Sequence, residues 1–431
     1  MTTPRRRLAR TLSSVEMARA YTTCALLSVF GSYAIGAFTS AATRNTIIAA
    51  LSVIGIGILW VRRDELSPLR VAPSTLLAFL AWTLASTVWS TASTATLKSW
   101  AALAGYAVIA IVVGHIRDTL QTVRALGDAL RILLAASLIA EIMSGILLDM
   151  PFPFLGIQGR LATGGPIQGL FGTRNMLGLI AVIAIITFVV EWRSQSLSAA
   201  VAIPSVVVAG TLALFSASPT VLVLAAVVGV ASVALVMVRQ APPARRGPLQ
   251  WTIGAVVLAA LIAAAVFHQR IIAVLDAGSD FNTRVDLWTT LLGYVQQRPA
   301  QGWGWFGLWN DDLYPFNSIN YFTNDHHGSA LNAFFDTLLQ VGGGGLLLFC
   351  LLGGVALVRS WLVASVRRSV VYAWAPLVLV TLAVDSVFES FTLVGAGWFL
   401  LVLCALRAGQ SRSWRENIDA VQTSSTPLPD R

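Results

Sequence analysis

Apolar residues fall in continuous blocks along this chain, near 18–38, 45–62, 73–91, 97–115, 128–148, 173–191, 196–214, 219–238, 250–267, 330–357, 371–388 and 391–408. Each block is close to the ~20 residues an α-helix needs to cross the hydrocarbon core of a bilayer. The blocks are unbroken rather than alternating, which excludes a closed barrel, whose strands show one apolar residue in two. The pattern predicts an all-α integral membrane protein with about twelve transmembrane helices, because a helix satisfies its own backbone in lipid. It divides the chain into an N-terminus (1–17), a polytopic membrane domain (18–408) and a tail (409–431). The tail, ending QTSSTPLPDR, reads as disordered. No internal repeat is visible. MTTPRRRLAR is basic, but a full-length apolar segment follows without a convincing cleavage site, so it reads as a first span rather than a cleavable signal.

Two long polar interruptions stand out, at 149–172 and 269–329. The first, MPFPFLGIQGRLATGGPIQGLFGT, is rich in Gly and Pro and reads as irregular. The second should hold a helix over Thr283–Gln297, where Val285, Trp288, Leu292 and Val295 recur at helical spacing, ended by Pro299–Gly307. Charge then supplies a direction. The chain carries 29 Lys and Arg against 20 Asp and Glu, a net +9. In a soluble protein that excess would suggest nucleic acid; in a polytopic one it marks the cytoplasmic loops, and no nucleic-acid partner is expected. With Arg5, Arg6 and Arg7 in the cytoplasm, the loops at 62–70, 117–124, 191–196, 239–247 and 359–369, and the tail, fall on the same side, and every one contains Arg. Both long loops then face outward.

Arginine on the outer face is not explained by the orientation rule. Arg160 and Arg174 belong to the first loop region, Arg284 and Arg298 to the second. A guanidinium is a planar fork of donors matched to phosphate oxygens, and Arg174 opens a span, where a helix N-terminus also favours an anion. Pairing with Asp280, Asp286 or a lipid headgroup is the bland alternative. His326 and His327, two of only four histidines, precede a helix beginning near Ser329, beside Asn324, Asp325 and Asn332. Histidine is the side chain best able to take a proton near neutral pH. Adjacent histidines with one Asp lack the usual metal-ligand spacing, and Cys24, Cys350 and Cys404 all lie in spans, so neither metal nor cofactor is expected. Trp303, Trp305, Phe306, Trp309, Tyr314, Phe316, Tyr321 and Phe322 form either an interfacial aromatic belt or flat faces for sugar rings or a lipid tail. Asp336, and Asp385 with Glu389 four residues on, sit in or near spans; they suit proton-coupled transport or the bracing of an outer arginine.

The order of these pieces resembles the O-antigen ligase and polymerase superfamily. The resemblance is carried by GRLATGGPIQGLFGTRNMLG (159–178), TRVDLW (283–288), PAQGWGWFG (299–307) and HHGSALNAFFDTLLQVGGGG (326–345). SASPT (216–220) is similar to a serine-rich turn of that family, with Pro219 where arginine is common. The resemblance spans about 150–360 and agrees with the orientation. It implies a metal-independent glycosyltransferase of the lipid-linked, GT-C-like kind, taking a glycan from undecaprenyl diphosphate outside the cytoplasmic membrane of a bacterium. Its implied base is His327 or His326, and its diphosphate-binding arginines are Arg284 with Arg160 or Arg174. Asn332, Trp303 and Trp305 would line the substrate, and the partners would be the lipid-linked donor, a glycan or lipid-glycan acceptor and membrane lipids. A flippase would instead place charges near the bilayer midplane, and a non-catalytic scaffold would have no need of the histidines.

Overall fold

The structure, a computed structural model, describes residues 11–65, 71–266 and 278–410. The ends of the expected N-terminus and tail, part of the 62–70 loop and the start of the second long loop lie outside the described residues, as does the side chain of Asp280.

Each of the twelve apolar blocks contains helix. In chain order the helices are α1 (Val15–Phe30), α2 (Ser32–Phe38), α3 (Ala41–Val61), α4 (Ser74–Ala85), α5 (Ser93–Ile116), α6 (Thr119–Ile142), α7 (Arg174–Arg193), α8 (Ala199–Phe215), α9 (Pro219–Gln240) and α10 (Pro243–Val266). After them come α11 (Gly278–Gln297), α12 (Phe316–Thr323), α13 (Ala333–Val366), α14 (Trp374–Phe388) and α15 (Gly395–Gln410). Among the described residues seven helices are long and apolar enough to cross a membrane, or eight if α1 and α2, bent by 73°, form one broken span. The chain is an integral membrane protein of helices. The helical runs of Ser74–Val88, Ala199–Phe215 and Gly395–Gln410 are apolar but shorter. The apolar blocks in the sequence exceed these helices because flanking apolar loop residues extend them.

Burial explains why the short α15 belongs to the bundle. Every residue from Ala396 to Ala408 is buried, the signature of a helix enclosed on all sides. Trp398 on α15 donates its indole N–H to Leu103 O on α5 at 3.0 Å. α7 is similarly central, with 72% of its apolar window buried against 22% for α3 and for α9, which face outward.

One sequence expectation needs correction. Residues 359–366, assigned to a basic loop, continue α13 to Val366. α13 is also not one straight rod: Gly342 has φ 67° and ψ −172°, which breaks it into 333–341 and 343–366. The second piece alone is about 36 Å long at 1.5 Å per residue, enough to cross the bilayer. The expected helix over Thr283–Gln297 is present and begins five residues earlier, as α11. The 149–172 loop is irregular, built from short 3₁₀ turns at Pro153–Leu155, Leu161–Thr163 and Gly169–Phe171.

The break in α13 is filled by the Pro299–Gly307 segment. Freed backbone groups pair across it: Trp303 N donates to Leu339 O (3.1 Å), Gly304 N to Gln340 O (2.7 Å), Gly343 N to Pro299 O (2.8 Å) and Gly344 N to Ala300 O (3.3 Å). Trp82 Nε1 donates to Val341 O at 2.8 Å. Gln340 completes the seal, its Oε1 accepting from Phe306 N (2.7 Å) and Gly307 N (2.9 Å) while its Nε2 donates to Gly307 O (3.0 Å). These bonds account for the glycines on both sides. Gly342 has positive φ, and a Cβ there would collide with the Ala300 carbonyl.

Gly342→Ala therefore combines left-handed strain with a clash and should lower stability by more than about 1 kcal/mol. Gly353→Ala, in open space on the same helix, should be neutral or slightly stabilising. Thermal unfolding of the two detergent-purified variants checks this, and equal melting would contradict the account of the break.

Candidate active site at one end of the bundle

The N-termini of α7, α9 and α13 and the C-terminus of α14 meet at one end of the bundle, under α11 and α12. A strap, His327-Gly328-Ser329-Ala330-Leu331-Asn332, crosses this end and is pinned at almost every residue. Asn320 on α12 holds His327 with both amide atoms, Oδ1 accepting from His327 N (3.2 Å) and Nδ2 donating to His327 O (3.3 Å). Gly328 O accepts from Trp309 N at 2.9 Å. Ala330 O accepts from Trp288 Nε1 at 2.8 Å, and Leu331 O from Arg284 Nη1 at 2.9 Å. Leu331 has φ 50°, uncommon for a bulky residue, and its carbonyl meets the guanidinium. Asn332 caps α13, its Oδ1 accepting from Phe334 N and Phe335 N (2.9 and 3.0 Å) while its Nδ2 reaches Val387 O at 2.8 Å.

Arg284 ties this strap to α14. Besides Leu331 O, its Nη1 donates to Phe388 O, and its Nη2 to Glu389 Oε1 at 3.3 Å. Three of its five N–H donors are thereby used; Nε–H and the second Nη2 proton have no partner among the described residues. Glu389 is 4% exposed. It also accepts from Asn175 Nδ2 at 2.6 Å, and Asn175 Oδ1 in turn accepts from Ser218 Oγ at 2.7 Å. One carboxylate thus joins α11, α14, α7 and the serine turn before α9. Burial raises its pKa above the ordinary Glu value, while the Arg284 charge, the Asn175 and Arg284 hydrogen bonds and the Arg174 charge oppose the rise. The bracing read for Glu389 is what the geometry contains, with one difference from the sequence picture. α14 stops at Phe388, and Glu389 has extended backbone (φ −147°, ψ 162°), so it lies beyond the helix that carries Asp385.

The two histidines differ sharply. His327 is buried at 6% exposure, its Nε2 is 3.7 Å from Asp325 Oδ2, and that nitrogen has no hydrogen-bond partner among the described residues. Burial lowers its pKa below the ordinary 6.5; the Asp325 charge pulls it up, and the charges of Arg284 and His326 push it down. His326 has an 87% exposed side chain, with Nδ1 3.3 Å from Asp311 Oδ2.

The arginines also separate. Arg174, at the start of α7 behind the Thr173 cap, is near enough for its charge to act on Glu389. Arg160 is exposed, and its side chain makes no hydrogen bond or ion pair with the described residues, although its carbonyl shapes the loop by accepting from Gly165 N at 2.9 Å. Arg298 is a structural clamp, donating to Trp89 O at 3.0 Å and lying 4.3 Å over the Trp303 ring. Trp303 and Trp305 are 5% and 1% exposed, packed against Tyr314 and Phe79 respectively. Contact with a sugar would require that packing to open. Asp336, fully buried, is satisfied by Trp309 Nε1 (2.8 Å), Gln340 Nε2 (2.7 Å) and Ala330 N (3.3 Å) and supports the strap from below. No group of three or more metal-capable side chains occurs among the described residues.

Asn175, Asn320 and Gln340 went unread in the sequence as parts of this end. Each is an uncharged polar residue with no motif of its own, and only burial in an apolar bundle marks it.

A helical membrane bundle with a polar, arginine- and histidine-bearing end defines the class. Residues 204–350 match the family model described as O-antigen ligase (Wzy_C), and the match supports the O-antigen ligase and polymerase superfamily for this chain. It runs from α8 into α13 and includes Arg284, both histidines and Asn332; Arg160, Arg174 and Glu389 lie outside it. Comparison with curated proteins gave no match.

The surroundings of His327 fix a measurable order of titration. Its imidazole should titrate below 6.5, and Asp325→Asn, which removes the charge that favours the imidazolium, should move it lower still. Histidine-selective NMR of the full chain in nanodiscs tests this; an upward shift in the Asn variant would contradict it.

Proposed function

We propose that this chain is a membrane glycosyltransferase. It moves a glycan from undecaprenyl diphosphate to an acceptor hydroxyl on the outer face of the bacterial cytoplasmic membrane, as an O-antigen ligase-like enzyme of cell-surface polysaccharide assembly. In this reading all twelve helical blocks cross or enter the membrane in a GT-C-like arrangement, both termini are cytoplasmic, and no metal takes part. The observation that carries the proposal is a buried imidazole on the pinned strap, which favours its neutral form, together with an α11 guanidinium bound to the same strap that keeps two donors uncommitted among the described residues.

The chemistry follows from those two groups. The acceptor oxygen forms a bond to the anomeric carbon as the bond from that carbon to the diphosphate oxygen breaks. His327 takes the acceptor's proton; a depressed pKa keeps it unprotonated and ready near neutral pH. The departing diphosphate gains negative charge, which Arg284 stabilises through Nε–H and Nη2–H, with Arg174 and Arg160 contributing from the first loop region. Glu389 holds the Arg284 guanidinium in a fixed plane, and Asn332 sets the strap relative to α13. Trp303 and Trp305 act from beneath, by shaping the segment that carries the strap. A polymerase would use the same donor and the same groups, differing in its acceptor.

His327→Ala should lower transfer by about 100-fold or more, the usual scale for a general base. Arg284→Ala should fall comparably, and exposed His326→Ala much less. Glycan attachment in cells, at matched protein level, and transfer in vitro from a defined lipid-linked donor with and without chelator are the measurements. Normal long glycan on both His327→Ala and Arg284→Ala would sink the enzyme reading, and donor accumulating inside the membrane would point to a flippase.

A further inference from the structure

α12 has two faces with different work. Phe316, Ile319 and Asn320 are buried, and Asn320 grips the His327 backbone. The next two residues, Tyr321 and Phe322, are 80% and 69% exposed, with ring centroids 5.5 Å apart at 78°. Adjacent large aromatic rings this open, directly after the residue that positions the buried imidazole, are not explained by packing.

Their surroundings narrow the partner. Asn310, Asp311, Asp312, Asn317, Asn324 and Asp325 are exposed around the same module. Asp311 links both sides of it, Oδ1 accepting from Asn320 Nδ2 at 2.8 Å while Oδ2 faces His326 Nδ1 at 3.3 Å. A segment that dips into an anionic membrane surface surrounds its aromatics with Lys and Arg; here the nearby charge is acidic, and three aspartates would be repelled. Apolar ring faces beside carboxylate and amide acceptors instead match the two sides of a sugar, C–H groups on one face and hydroxyl donors at the rim.

We propose that Tyr321 and Phe322 form a stacking platform for the carbohydrate of the acceptor, with Asp311 and Asp325 as hydroxyl acceptors at its edge. The platform rests on the glycosyltransferase reading of the same site. It lies on the acceptor side because α12 is the element that holds His327, the group that receives the acceptor's proton. Tyr321 and Phe322 thus select the acceptor, while the arginines hold the donor.

The test uses the full chain in nanodiscs. Tyr321→Ala and Phe322→Ala should each raise KM for acceptor by about tenfold, the scale of one lost aromatic contact. Donor KM and kcat should stay within about twofold, and Tyr321→Trp should restore the acceptor KM. A general folding defect would not produce that split or that rescue. Unchanged acceptor KM in both Ala variants overturns the platform while leaving the transferase reading intact. Binding of free malto-, cello- and chito-pentaose to the chain, followed by saturation-transfer NMR, is independent of turnover. If no lipid-linked donor is ever turned over, yet oligosaccharide binds and is lost in Tyr321→Ala, the transferase reading and the acceptor role fail together, while sugar stacking on Tyr321 and Phe322 stands. Binding of none of the three, or equal binding to the Ala variants, counts against the platform. A bimane probe on Phe322→Cys, with Cys24, Cys350 and Cys404 changed to Ser, reports membrane contact: quenching by spin-labelled lipid overturns the proposal, and none supports it.

Discussion

The rest of the polar end depends on one broken helix. A continuous α13 would have no free carbonyls at Leu339–Val341 and no free amides at Gly343 and Gly344, so the Pro299–Gly307 segment would have nothing to pair with. Leaving such groups unpaired in a low-dielectric bundle costs several kcal/mol each, and the segment supplies partners for them. Once seated, it fixes Trp309, which holds Gly328 and Asp336. α11 and α12 are carried on its two ends. The left-handed backbone at Gly342 is thus a condition of the strap's position rather than a local irregularity.

Above that foundation the site is electrostatic. Glu389 is almost fully enclosed, and a buried carboxylate persists only with compensating partners. It has Arg284 and Asn175, with Arg174 nearby. The pairing also limits what Arg284 can do: with Nη1 committed to two carbonyls and Nη2 to Glu389, the guanidinium plane is set. Preorganised donors of this kind need no rearrangement as charge develops. The Arg131–Glu191 pair near the other end of the bundle shows the same economy: Arg131 also contacts Asp128 (3.0 Å) and lies 4.7 Å over Phe188, and it makes a packing joint between α6 and α7.

Helix blocks, the irregular first loop and the amphipathic α11 were legible because each depends on local periodicity. The order of His327, Arg284 and Asn332 along the chain also pointed to residues that meet at one end of the bundle. The break in α13 was not legible, since Gly342–Gly345 within an apolar run reads as an ordinary small-residue span, and the partner that explains it lies forty residues earlier. The contrast between exposed His326 and buried His327 was also hidden, because adjacent residues share every local signal and differ only in which one Asn320 grips. GWGWFG attracted a sugar-binding reading through its tryptophans, yet its glycines carry the conformational requirement and its tryptophans fill the core. Asp385 and Glu389, four apart, looked like one helical face until the helix ended between them.

The contacts of Arg284 have a consequence for how the protein is made. Its partners Phe388 and Glu389 follow it by about a hundred residues, beyond two further membrane helices. Synthesis runs from the N-terminus, so α11 and its arginine emerge long before the carboxylate that fixes them. Until α14 has entered the bundle, Asn175 also lacks the carboxylate that its amide meets. The polar end therefore completes its contacts only after the last residues of α14 are in place.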